Sequence, residues 1–447
     1  MMPDPDIQST NPRVMSLHFR GSKSILQRLM ILLASSRSDM LIENYNPCAD
    51  VLEMEAALRK YGYTVQGTDT ERSFRFDLLR HADSDHQYEF TASATAFRFW
   101  LGLLAALPGI TSRIKVSQIL MSRGIEPLVS ALKGLGAELE IRDTVIKISG
   151  KHLHGAEVCI PCSHSSHFVS SLLLCAPGYQ SPLILRLSPD QVSMPYIRLS
   201  ADLLKYYGAD IYISDQEIIV KPGKLNFSNR IKVDGDASTA AAFVIGAVIL
   251  RRPLCLMFNP QGGLYQADYQ VFEILEKLGT HLEYGRDSIS IFPHDLQGGQ
   301  IDLSDCPDLM PSLSILGLFC ATPLTLDGIG RLKHKESDRF AGITKALSML
   351  GAKYEAGNDF LTICPLNQNH SKLETCTLDT QNDHRLAMAF TFLHLVYPQI
   401  SLSETGSVGK SCPEFYDLIE LLLEPQVSNF GVLHTSMPIK GVSIGSS

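Results

Sequence analysis

The residues best suited to chemistry are cations that lie beside hydroxyl groups at the predicted starts of helices. In the segment GSKSILQR, Lys23 lies at the start of a predicted helix, and Ser24 and Arg28 are four residues apart on one of its faces. In the segment TAFR, Arg98 follows Thr95 in the first turn of an apolar helix, where a cation opposes the helix dipole. A bound carboxylate or phosphate would remove this mismatch. An ordinary cap with solvated charges is the alternative for each segment taken alone.

Two later segments, HKESDRF and QNDHRLAMAF, place cations close to carboxylates. Ser165, Ser166 and His167 open another predicted helix with two hydroxyls and an imidazole. Lys410 precedes a proline that suits a first helical turn. The charged set consists of Lys335, Glu336, Arg339, Asp383, His384, Arg385 and Lys410. Each cluster alone would also suit a solvated surface, so its significance depends on whether the fold brings the clusters together.

A repeat of about 72 residues organises the elements that position these groups. Five segments end an apolar helix at a glycine and continue into a strand-like alternation. Their glycines are Gly62, Gly136, Gly208, Gly279 and Gly351, at separations of 74, 72, 71 and 72 residues. Glycine suits this position because it adopts left-handed backbone angles without a Cβ clash. One more step reaches Leu423 in the last predicted helix, so six small α/β modules, each with its own sheet, are expected.

Each module also contains a second apolar helix that follows a polar residue able to cap it. The predicted starts lie at Ser24, Thr95, Ser166, Ser238, Ser312 and Asp383. If three modules pack around each of two cores, several helix N-termini can point into one cleft. Because a helix N-terminus carries partial positive charge, that cleft would favour anions.

The composition favours a two-domain cytoplasmic protein. The 447 residues are 45% hydrophobic and 19% charged, which is enough for two cores. The net charge of −8 argues against nonspecific binding to nucleic acid or to an anionic membrane surface. Residues 1–11 lack the basic and apolar features of a targeting signal, and no apolar run is long enough to span a bilayer. We therefore expect no nucleic-acid or membrane partner.

The ten cysteines are scattered, so reduced thiols are expected and not a disulfide framework. One region contains possible zinc ligands, namely His152, His154, Cys159, Cys162, His164 and His167. No second ligand pair follows at zinc-finger spacing, and Val158 and Ile160 alternate with their neighbours as in a strand. A strand is therefore the preferred interpretation, and a zinc site is the alternative.

With these motifs in order, the sequence resembles the 3-phosphoshikimate 1-carboxyvinyltransferases, also called EPSP synthases, from about Leu17 to Leu423. The matching motifs are GSKSxxxR, TAFR, Arg123 before LVSAL, SSxF, VSMPYI, DGDAS, PDL, KESDR, NDHRLAMAF and GKSCPEF. The resemblance implies an α/β fold of two domains, an inside-out α/β barrel with six βαβαββ units, three in each domain. It implies one lobe formed by residues 1–20 and 235–430, a second lobe at 21–234, hinges near 20–21 and 233–235, and a tail at 431–447.

The family reaction joins the enolpyruvyl group of phosphoenolpyruvate to the 5-hydroxyl of shikimate 3-phosphate by addition and elimination, within aromatic amino acid biosynthesis. By resemblance, shikimate 3-phosphate would contact Lys23, Ser24, Arg28, Ser165, Ser166, Ser193, Tyr196, Asp308 and Lys335. Phosphoenolpyruvate would contact Lys23, Ala94, Arg98, Arg123, His167, Arg339, Arg385 and Lys410. The implied catalytic residues are Lys23, Asp308, Glu336 and His384.

In this scheme Asp308 is the base candidate at the attacking hydroxyl, and Glu336 moves the proton at C3 of phosphoenolpyruvate. No cofactor or metal is implied, because lysines and arginines already neutralise the phosphate. A monomer that binds two small molecules is expected.

Two positions depart from the common family pattern. Ala92-Ser93-Ala94 stands where many members have Asn-Ala-Gly, and His167 stands where glutamine is usual. The Ala94 methyl is expected to point into the space that accepts glyphosate in sensitive members. This predicts reduced glyphosate sensitivity.

Two other functions are weighed against this one. The related transferase that acts on UDP-N-acetylglucosamine shares the fold but typically has a reactive cysteine near the Arg123 position, and residues 111–127 contain none. A catalytically silent anion-binding homologue would keep the cleft without turnover. The presence of Lys23, Asp308 and Glu336 argues against it.

Overall fold

The computed structural model describes residues 14–160, 165–187, 193–257, 263–366 and 373–424. The strands in these ranges are β1 (Met15–Leu17), β2 (Met40–Glu43), β3 (Tyr63–Gly67), β4 (Glu71–Phe76), β5 (Gln87–Phe90), β6 (Thr111–Val116), β7 (Glu138–Arg142), β8 (Val145–Ser149), β9 (Glu157–Cys159), β10 (Leu183–Arg186), β11 (Ile211–Ile213), β12 (Glu217–Val220), β13 (Arg230–Lys232), β14 (Leu254–Leu256), β15 (His281–Tyr284), β16 (Ile289–Phe292), β17 (Gly299–Asp302), β18 (Leu324–Asp327), β19 (Tyr354–Ala356), β20 (Phe360–Ile363), β21 (Cys376–Leu378) and β22 (Ile400–Leu402).

The α-helices in the same ranges are α1 (Lys23–Ser36), α2 (Ala49–Tyr61), α3 (Leu78–Ala82), α4 (Ala94–Ala105), α5 (Gln118–Ser122), α6 (Glu126–Gly134), α7 (His167–Cys175), α8 (Met194–Tyr206), α9 (Ala237–Ile249), α10 (Gln270–Lys277), α11 (Met310–Gly317), α12 (Arg339–Met349), α13 (His384–Val396) and α14 (Phe415–Leu423).

Six sheets in the described residues repeat one strand arrangement. The orders are β13-β2-β4-β3, β5-β6-β8-β7, β9-β10-β12-β11, β1-β14-β16-β15, β17-β18-β20-β19 and β21-β22. In every sheet the first two strands are parallel, and in the four-stranded sheets the other pairings are antiparallel. Each four-stranded sheet therefore belongs to one βαβαββ unit, and the described part of the sixth unit ends after α14. The six-unit prediction is confirmed.

Two first strands are exchanged where the chain crosses between its two halves. β1 completes the sheet of β14, and β13 completes the sheet of β2. The two crossings lie side by side, and Gly21 bridges Gly235. A Cβ on Gly21 would lie 2.2 Å from the carbonyl oxygen of Asn44, so any larger residue would force this contact open.

The buried hydrophobic side chains form two separate cores. One comprises core residues between 25 and 233, and we call this part of the molecule the α1 half. The other comprises Leu17, Phe19 and core residues between 237 and 422, and we call this part of the molecule the α9 half. In the α1 half, the helices α1, α4 and α7 contact one another. In the α9 half, α9, α11 and α13 contact one another in the same way. These helices are apolar on nearly all sides because sheets and other helices surround them.

The glycine positions predicted from the repeat are confirmed. Each follows a helix with a positive φ, at 124° for Gly62, 103° for Gly136, 82° for Gly208, 106° for Gly279 and 65° for Gly351. The predicted helix starts at Ser166 and Asp383 are also correct, since these residues directly precede α7 and α13.

Four predicted capping positions, Ser24, Thr95, Ser238 and Ser312, are wrong, because the observed capping positions lie two or three residues earlier. The residues that precede α1, α4, α9 and α11 are Ser22, Ser93, Asp236 and Leu309. Ser93 Oγ accepts from the Ala96 N–H at 3.2 Å, and Asp236 Oδ1 accepts from the Thr239 N–H at 2.8 Å. Because earlier residues occupy the capping positions, Ser24, Thr95 and Ser238 lie inside the first turns.

The possible zinc ligands do not form a metal cluster within the described residues, where no group of three or more His, Cys, Asp or Glu side chains is arranged to hold an ion. Cys159 ends β9 and is exposed. Cys162 and His164 lie outside the described residues, as does the tail at 431–447. In the described part of the chain, every helix is too short or too polar to cross a membrane.

Candidate functional site

A cavity of about 310 Å³ lies where the two halves meet, and residues of both halves line it. Among the described residues, six cations and four carboxylates line it: Lys23, Arg98, Arg123, Arg331, Lys335 and Arg385 with Asp50, Asp236, Asp308 and Glu336. The whole chain has a net charge of −8, so the excess of positive charge is local. A concave site with this balance favours small anionic ligands.

The central helix of every unit directs its first turn, or the residues just before it, to this cavity. The residues are Lys23 and Ser24 for α1, Ala94, Thr95 and Arg98 for α4, Ser166 and His167 for α7, Asp236 and Ser238 for α9, Asp308 for α11, and Arg385 for α13. The prediction that several helix N-termini share one cleft is confirmed. The dipoles of these helices add to the side-chain charge.

Lys23 is a fixed cation that joins the two halves. Its Nζ lies 3.0 Å from Asp50 Oδ2 in the α1 half, and its backbone N–H donates to Asp236 Oδ2 in the α9 half at 3.0 Å. Burial alone would lower the pKa of Lys23, but Asp50, Cys48 and Glu336 together outweigh burial, and the pKa rises to about 12. Lys23 is therefore charged at neutral pH.

Arg98 is buried among neutral acceptors. Its Nη1 donates to Ser165 Oγ at 3.1 Å, and its Nη2 donates to the carbonyls of Arg123 and Gly124, both at 2.9 Å. The guanidinium also lies 4.8 Å from the centre of the Phe168 ring. Burial and the charge of Arg123 lower the pKa of Arg98. Since a guanidinium stays protonated in proteins, an anion in the cavity would relieve this unfavourable environment.

His167 is a neutral imidazole in one tautomer. Arg98 Nη1 lies 3.3 Å from its Nδ1 and can only donate, so Nδ1 is the acceptor and Nε2 carries the proton toward Thr95 Oγ1, also at 3.3 Å. Burial, followed by the charges of Arg98 and other cations, holds the pKa of His167 well below its usual value. His167 therefore lines the cavity as a polar group without a charge.

Ser193 and Tyr196, at the start of α8, form another part of the wall. Ser193 has a left-handed φ of 58° and directly precedes the helix. Tyr196 belongs to α8 of the α1 half, yet its ring packs against the core of the α9 half. Burial and then Asp268 raise the pKa of Tyr196 well above its usual value, so its phenol remains protonated.

Arg28 lies behind this wall and is only 1% exposed. Its Nε donates to Ser200 Oγ at 2.8 Å, its Nη1 to the Ser24 carbonyl at 2.8 Å, and its Nη2 to the Tyr196 carbonyl at 3.0 Å. These bonds orient α8 against α1. In this arrangement Arg28 holds the serine and tyrosine segments that face the cavity.

Arg339 organises the carboxylates of the α9 half. It is 1% exposed, and its Nε, Nη1 and Nη2 donate to Asp383, Asp308 and Glu336, each at 2.8 Å. Lys335 Nζ adds a contact of 3.1 Å to Asp308 Oδ1. Burial alone would raise the pKa of Asp308, but Lys335 and Arg339 hold it well below its usual value. Asp308 is therefore ionised.

Glu336 links the two halves across the cavity. Its Oε1 lies 3.9 Å from Arg123 Nη2 of the α1 half and 3.8 Å from Lys410 Nζ of the α9 half. Burial opposes the charge, but Arg339, Arg123 and Lys410 hold the pKa of Glu336 well below its usual value. The carboxylate of Glu336 is thus ionised, and two of the cations that stabilise its charge, Arg123 and Lys410, could also bind an anion in the cavity.

The start of α13 supplies a third group of contacts. Arg385 Nη1 donates to the Ser238 carbonyl at 2.9 Å and lines the cavity. His384 is 2% exposed, and its Nδ1 lies 3.7 Å from Asp383 Oδ1. Burial, followed by the charge of Lys23, holds the pKa of His384 well below its usual value, so the imidazole is neutral.

A family model described as EPSP synthase (3-phosphoshikimate 1-carboxyvinyltransferase) matches residues 8–419. The chain belongs to the EPSP synthase family. A 3-phosphoshikimate 1-carboxyvinyltransferase of Photobacterium profundum is 28% identical over 421 residues, which cover 91% of this chain and 95% of that protein. A protein of the same name from Dehalococcoides mccartyi is 31% identical over 332 residues, which cover 74% and 77% of the two chains.

Solved structures show the same fold. EPSP synthase from Acinetobacter baumannii matches with a TM-score of 0.73 at 21% identity, over 92% of this chain and 96% of that chain. The enolpyruvyl transferase NikO from Streptomyces tendae matches with a TM-score of 0.70 at 16% identity, over 92% and 95%. The expected EPSP synthase fold, with two sets of three units, is therefore confirmed.

Most residues that the family resemblance implied in binding or catalysis line the one cavity. They are Lys23, Ser24, Ala94, Arg98, Arg123, Ser165, Ser166, His167, Ser193, Tyr196, Asp308, Lys335, Glu336 and Arg385. Lys410 lies next to the cavity, since its Nζ is 3.8 Å from Oε1 of the lining residue Glu336. Arg28, Arg339 and His384 are buried behind the lining residues, so a direct contact of each with substrate stays a prediction. The Ala94 methyl belongs to the lining, and reduced glyphosate sensitivity likewise stays a prediction.

Sequence reasoning missed several polar residues of this EPSP synthase family site. Asp50, Asp236, Ser238 and Arg331 also line the cavity. Asp236 and Ser238 belong to the DGDAS motif. Because this motif lies at a predicted helix start, it could have indicated that both residues face the cleft. Asp50 carries no comparable signal, since an acidic residue in the first turn of a helix is common.

Asp268 is 1% exposed beside Ser238, and burial together with Asp308 raises the pKa of Asp268 to about 6.

Proposed function

We propose that this chain transfers the enolpyruvyl group of phosphoenolpyruvate to the 5-hydroxyl of shikimate 3-phosphate and releases phosphate. The observation that carries the proposal is the cavity itself, where six cations and six helix starts surround two ionised carboxylates, Asp308 and Glu336. Two unit charges about 4 Å apart interact by about 4 kcal/mol at an effective dielectric near 20. The cations offset this repulsion when two acids lie side by side.

Shikimate 3-phosphate fits the wall formed by α7, α8 and Lys335. Hydroxyls of Ser165, Ser166 and Ser193 can donate to its phosphate, and Lys335 adds a charge. Phosphoenolpyruvate fits the neighbouring wall of Arg98, where the guanidinium has only neutral partners. Arg123, Arg385 and Lys410 complete its cationic surroundings, and Lys23 lies between the two ligands.

The reaction proceeds by addition and elimination. The 5-hydroxyl oxygen bonds to C2 of phosphoenolpyruvate as its proton leaves and C3 gains a proton. The tetrahedral intermediate then loses a proton from C3 as the C2–O bond to phosphate breaks. Asp308 takes the proton of the attacking hydroxyl and passes it to the departing phosphate, and Glu336 gives and retrieves the proton at C3.

Ligand binding supplies the pKa change that Glu336 needs. Arg339, Arg123 and Lys410 keep the carboxylate of Glu336 ionised, and an ionised carboxylate cannot donate a proton. A phosphoenolpyruvate anion beside Arg123 and Lys410 adds negative charge next to Glu336. Its pKa then rises, so protonation of Glu336 is coupled to arrival of the substrate.

We further propose that residues 1–20 with 235–430 form one lobe and residues 21–234 the other, with hinges near 20–21 and 233–235. Contacts of Glu336 with Arg123 and of Tyr196 with the opposite core support a site completed by lobe approach. Shikimate 3-phosphate is expected to favour the closed form, which small-angle scattering would detect. A monomeric state, a cytoplasmic location and activity without metal or cofactor stay predictions.

The decisive test is phosphate release from phosphoenolpyruvate with and without shikimate 3-phosphate. The wild type should turn over only with both, and Glu336→Gln should lose about a thousandfold in kcat while it retains shikimate 3-phosphate binding. Glu89→Gln is the matched control, because Glu89 forms an exposed ion pair with Lys115. Substrate binding without phosphate release would favour the silent homologue, and turnover with UDP-N-acetylglucosamine would favour the other transferase.

A further inference from the structure

A carboxylate on α2 holds the loop that leads into α4. Glu53 accepts hydrogen bonds from the Thr91 N–H at 2.5 Å, the Thr91 hydroxyl at 3.0 Å, the Ala92 N–H at 3.1 Å and the Ser93 N–H at 2.8 Å. Three consecutive backbone N–H groups thus converge on one side chain. Hydrogen bonds to an ionised acceptor are roughly twice as strong as neutral ones, so this loop has a defined conformation.

The loop held by Glu53 sets the start of α4. Ser93 Oγ accepts from the Ala96 N–H at 3.2 Å and from Gln27 Nε2 at 2.8 Å, which fixes the first turn of the helix against α1. The next two residues, Ala94 and Thr95, line the cavity. The position of these two residues therefore depends on the conformation of Thr91, Ala92 and Ser93.

The same loop also receives a cation from the other half of the molecule. Lys410 Nζ donates to the Ala92 carbonyl at 3.3 Å, while the Ala92 N–H donates to Glu53. One residue therefore bonds to a carboxylate of the α1 half and to an ammonium of the α9 half. Lys410 Nζ also lies 3.8 Å from Glu336 Oε1. The loop therefore helps to position a cation that lies beside a proposed catalytic carboxylate.

We propose that Glu53 is a positioning residue for phosphoenolpyruvate, which acts through the Thr91–Ser93 loop on Ala94, Thr95 and Lys410. Glu53 is not among the described residues that line the cavity, so its effect is exerted through the loop and not by contact with substrate. This inference rests on the proposed function and names a residue that determines affinity for one of the two substrates. Shikimate 3-phosphate, placed against α7 and α8, should be insensitive to it.

The test compares Glu53→Gln and Glu53→Ala with the wild type. Because both variants lose the ionised acceptor, KM for phosphoenolpyruvate should rise about tenfold, kcat should fall by less than about threefold, and the Kd of shikimate 3-phosphate should stay within about twofold. Glu89→Gln, at an exposed ion pair shortly before the same loop, should change none of these values. Values of KM within about twofold of the wild type in both Glu53 variants would overturn the proposal.

A double-mutant cycle with Lys410→Met separates positioning from general loss of structure. The two substitutions should be less than additive in KM for phosphoenolpyruvate, because both act through Ala92. Fully additive losses, or an equal loss of shikimate 3-phosphate binding in Glu53→Gln, would reject the proposed role.

Direct binding distinguishes this inference from the proposed function. Trp100 is the single tryptophan of the chain and is buried on α4, so its emission reports the fold of each variant, while equilibrium dialysis measures phosphoenolpyruvate binding. A wild type that binds phosphoenolpyruvate but shows no turnover would contradict the proposed function, while the affinity ratio of wild type to Glu53→Gln would still decide the role of Glu53.

Discussion

The two walls of the cavity neutralise charge in different ways. In the α1 half, Arg98 donates to a serine hydroxyl and to two backbone carbonyls, and His167 is neutral. In the α9 half, Arg339 donates to three carboxylates and is fully enclosed by them and by its neighbours. A cation with neutral partners has its charge available to a ligand, whereas a cation with acidic partners keeps those acids ionised and oriented. The contacts of Arg98 therefore leave its charge available to an anion, and the contacts of Arg339 keep three carboxylates of the α9 half ionised and oriented.

The largest effect on stability is expected from Arg339→Met. Removal of the guanidinium leaves Asp308, Glu336 and Asp383 near one another without their shared cation, and loss of one partner of a buried ion pair costs about 3–5 kcal/mol. Urea unfolding would measure the change. Arg186→Met is the control, since Arg186 pairs with Glu157 and Glu217 at the surface and should change the free energy of unfolding far less than Arg339→Met. Equal costs for the two variants would contradict the comparison of the walls.

Arg98→Met should show the opposite balance. Its partners are hydroxyl and carbonyl groups, so the free energy of unfolding should fall less than in Arg339→Met. Loss of a charged donor to the substrate should raise KM for phosphoenolpyruvate about 10- to 100-fold, which corresponds to about 1.5–3 kcal/mol. Steady-state kinetics and urea unfolding on the same preparation would test this. A loss of stability as large as that of Arg339→Met, with KM unchanged, would reverse the assignment of the two walls.

The smallest effect is expected from His167→Gln and depends on pH. The folded-state pKa of His167 lies well below the unfolded value of about 6.5, so the unfolded chain binds the proton first as pH falls. The stability contributed by neutral His167 is complete above about pH 6.5 and is lost as pH falls below it. Its removal should reduce the slope of unfolding free energy against pH by about 1.4 kcal/mol per pH unit in that window.

Unfolding of the wild type and of His167→Gln between pH 5 and pH 7.5 would measure this difference. His384→Gln provides an internal comparison from the other wall, since burial and Lys23 also hold the pKa of His384 well below its usual value. Parallel curves for wild type and His167→Gln would show that the imidazole is not held neutral. Catalysis near neutral pH should not titrate with either histidine.

Much of the site could be predicted because its motifs are local. The GSKSxxxR and TAFR segments place their cations in first helical turns, and the repeat predicts that such turns recur at similar points of each unit. The capping residues were misassigned because several neighbouring residues can cap, and only the observed hydrogen bonds of Ser93 and Asp236 distinguish them. Consequently Ser24, Thr95 and Ser238 were expected to cap, whereas they line the cavity.

The sequence by itself determined the six-unit plan, because a glycine with positive φ follows the repeated helix in five units and one further period reaches the last helix. It also determined the family through ordered motifs. Only the tertiary structure decided that β1 and β13 complete sheets formed by distant segments, since parallel pairing leaves no local trace in the chain. It also decided that Arg28 and Arg339 lie behind the cavity wall and that Glu53 holds a loop some forty residues away. The physical reason is that burial and partners depend on long-range packing, which converts similar charged residues into either ligand-binding or supporting groups.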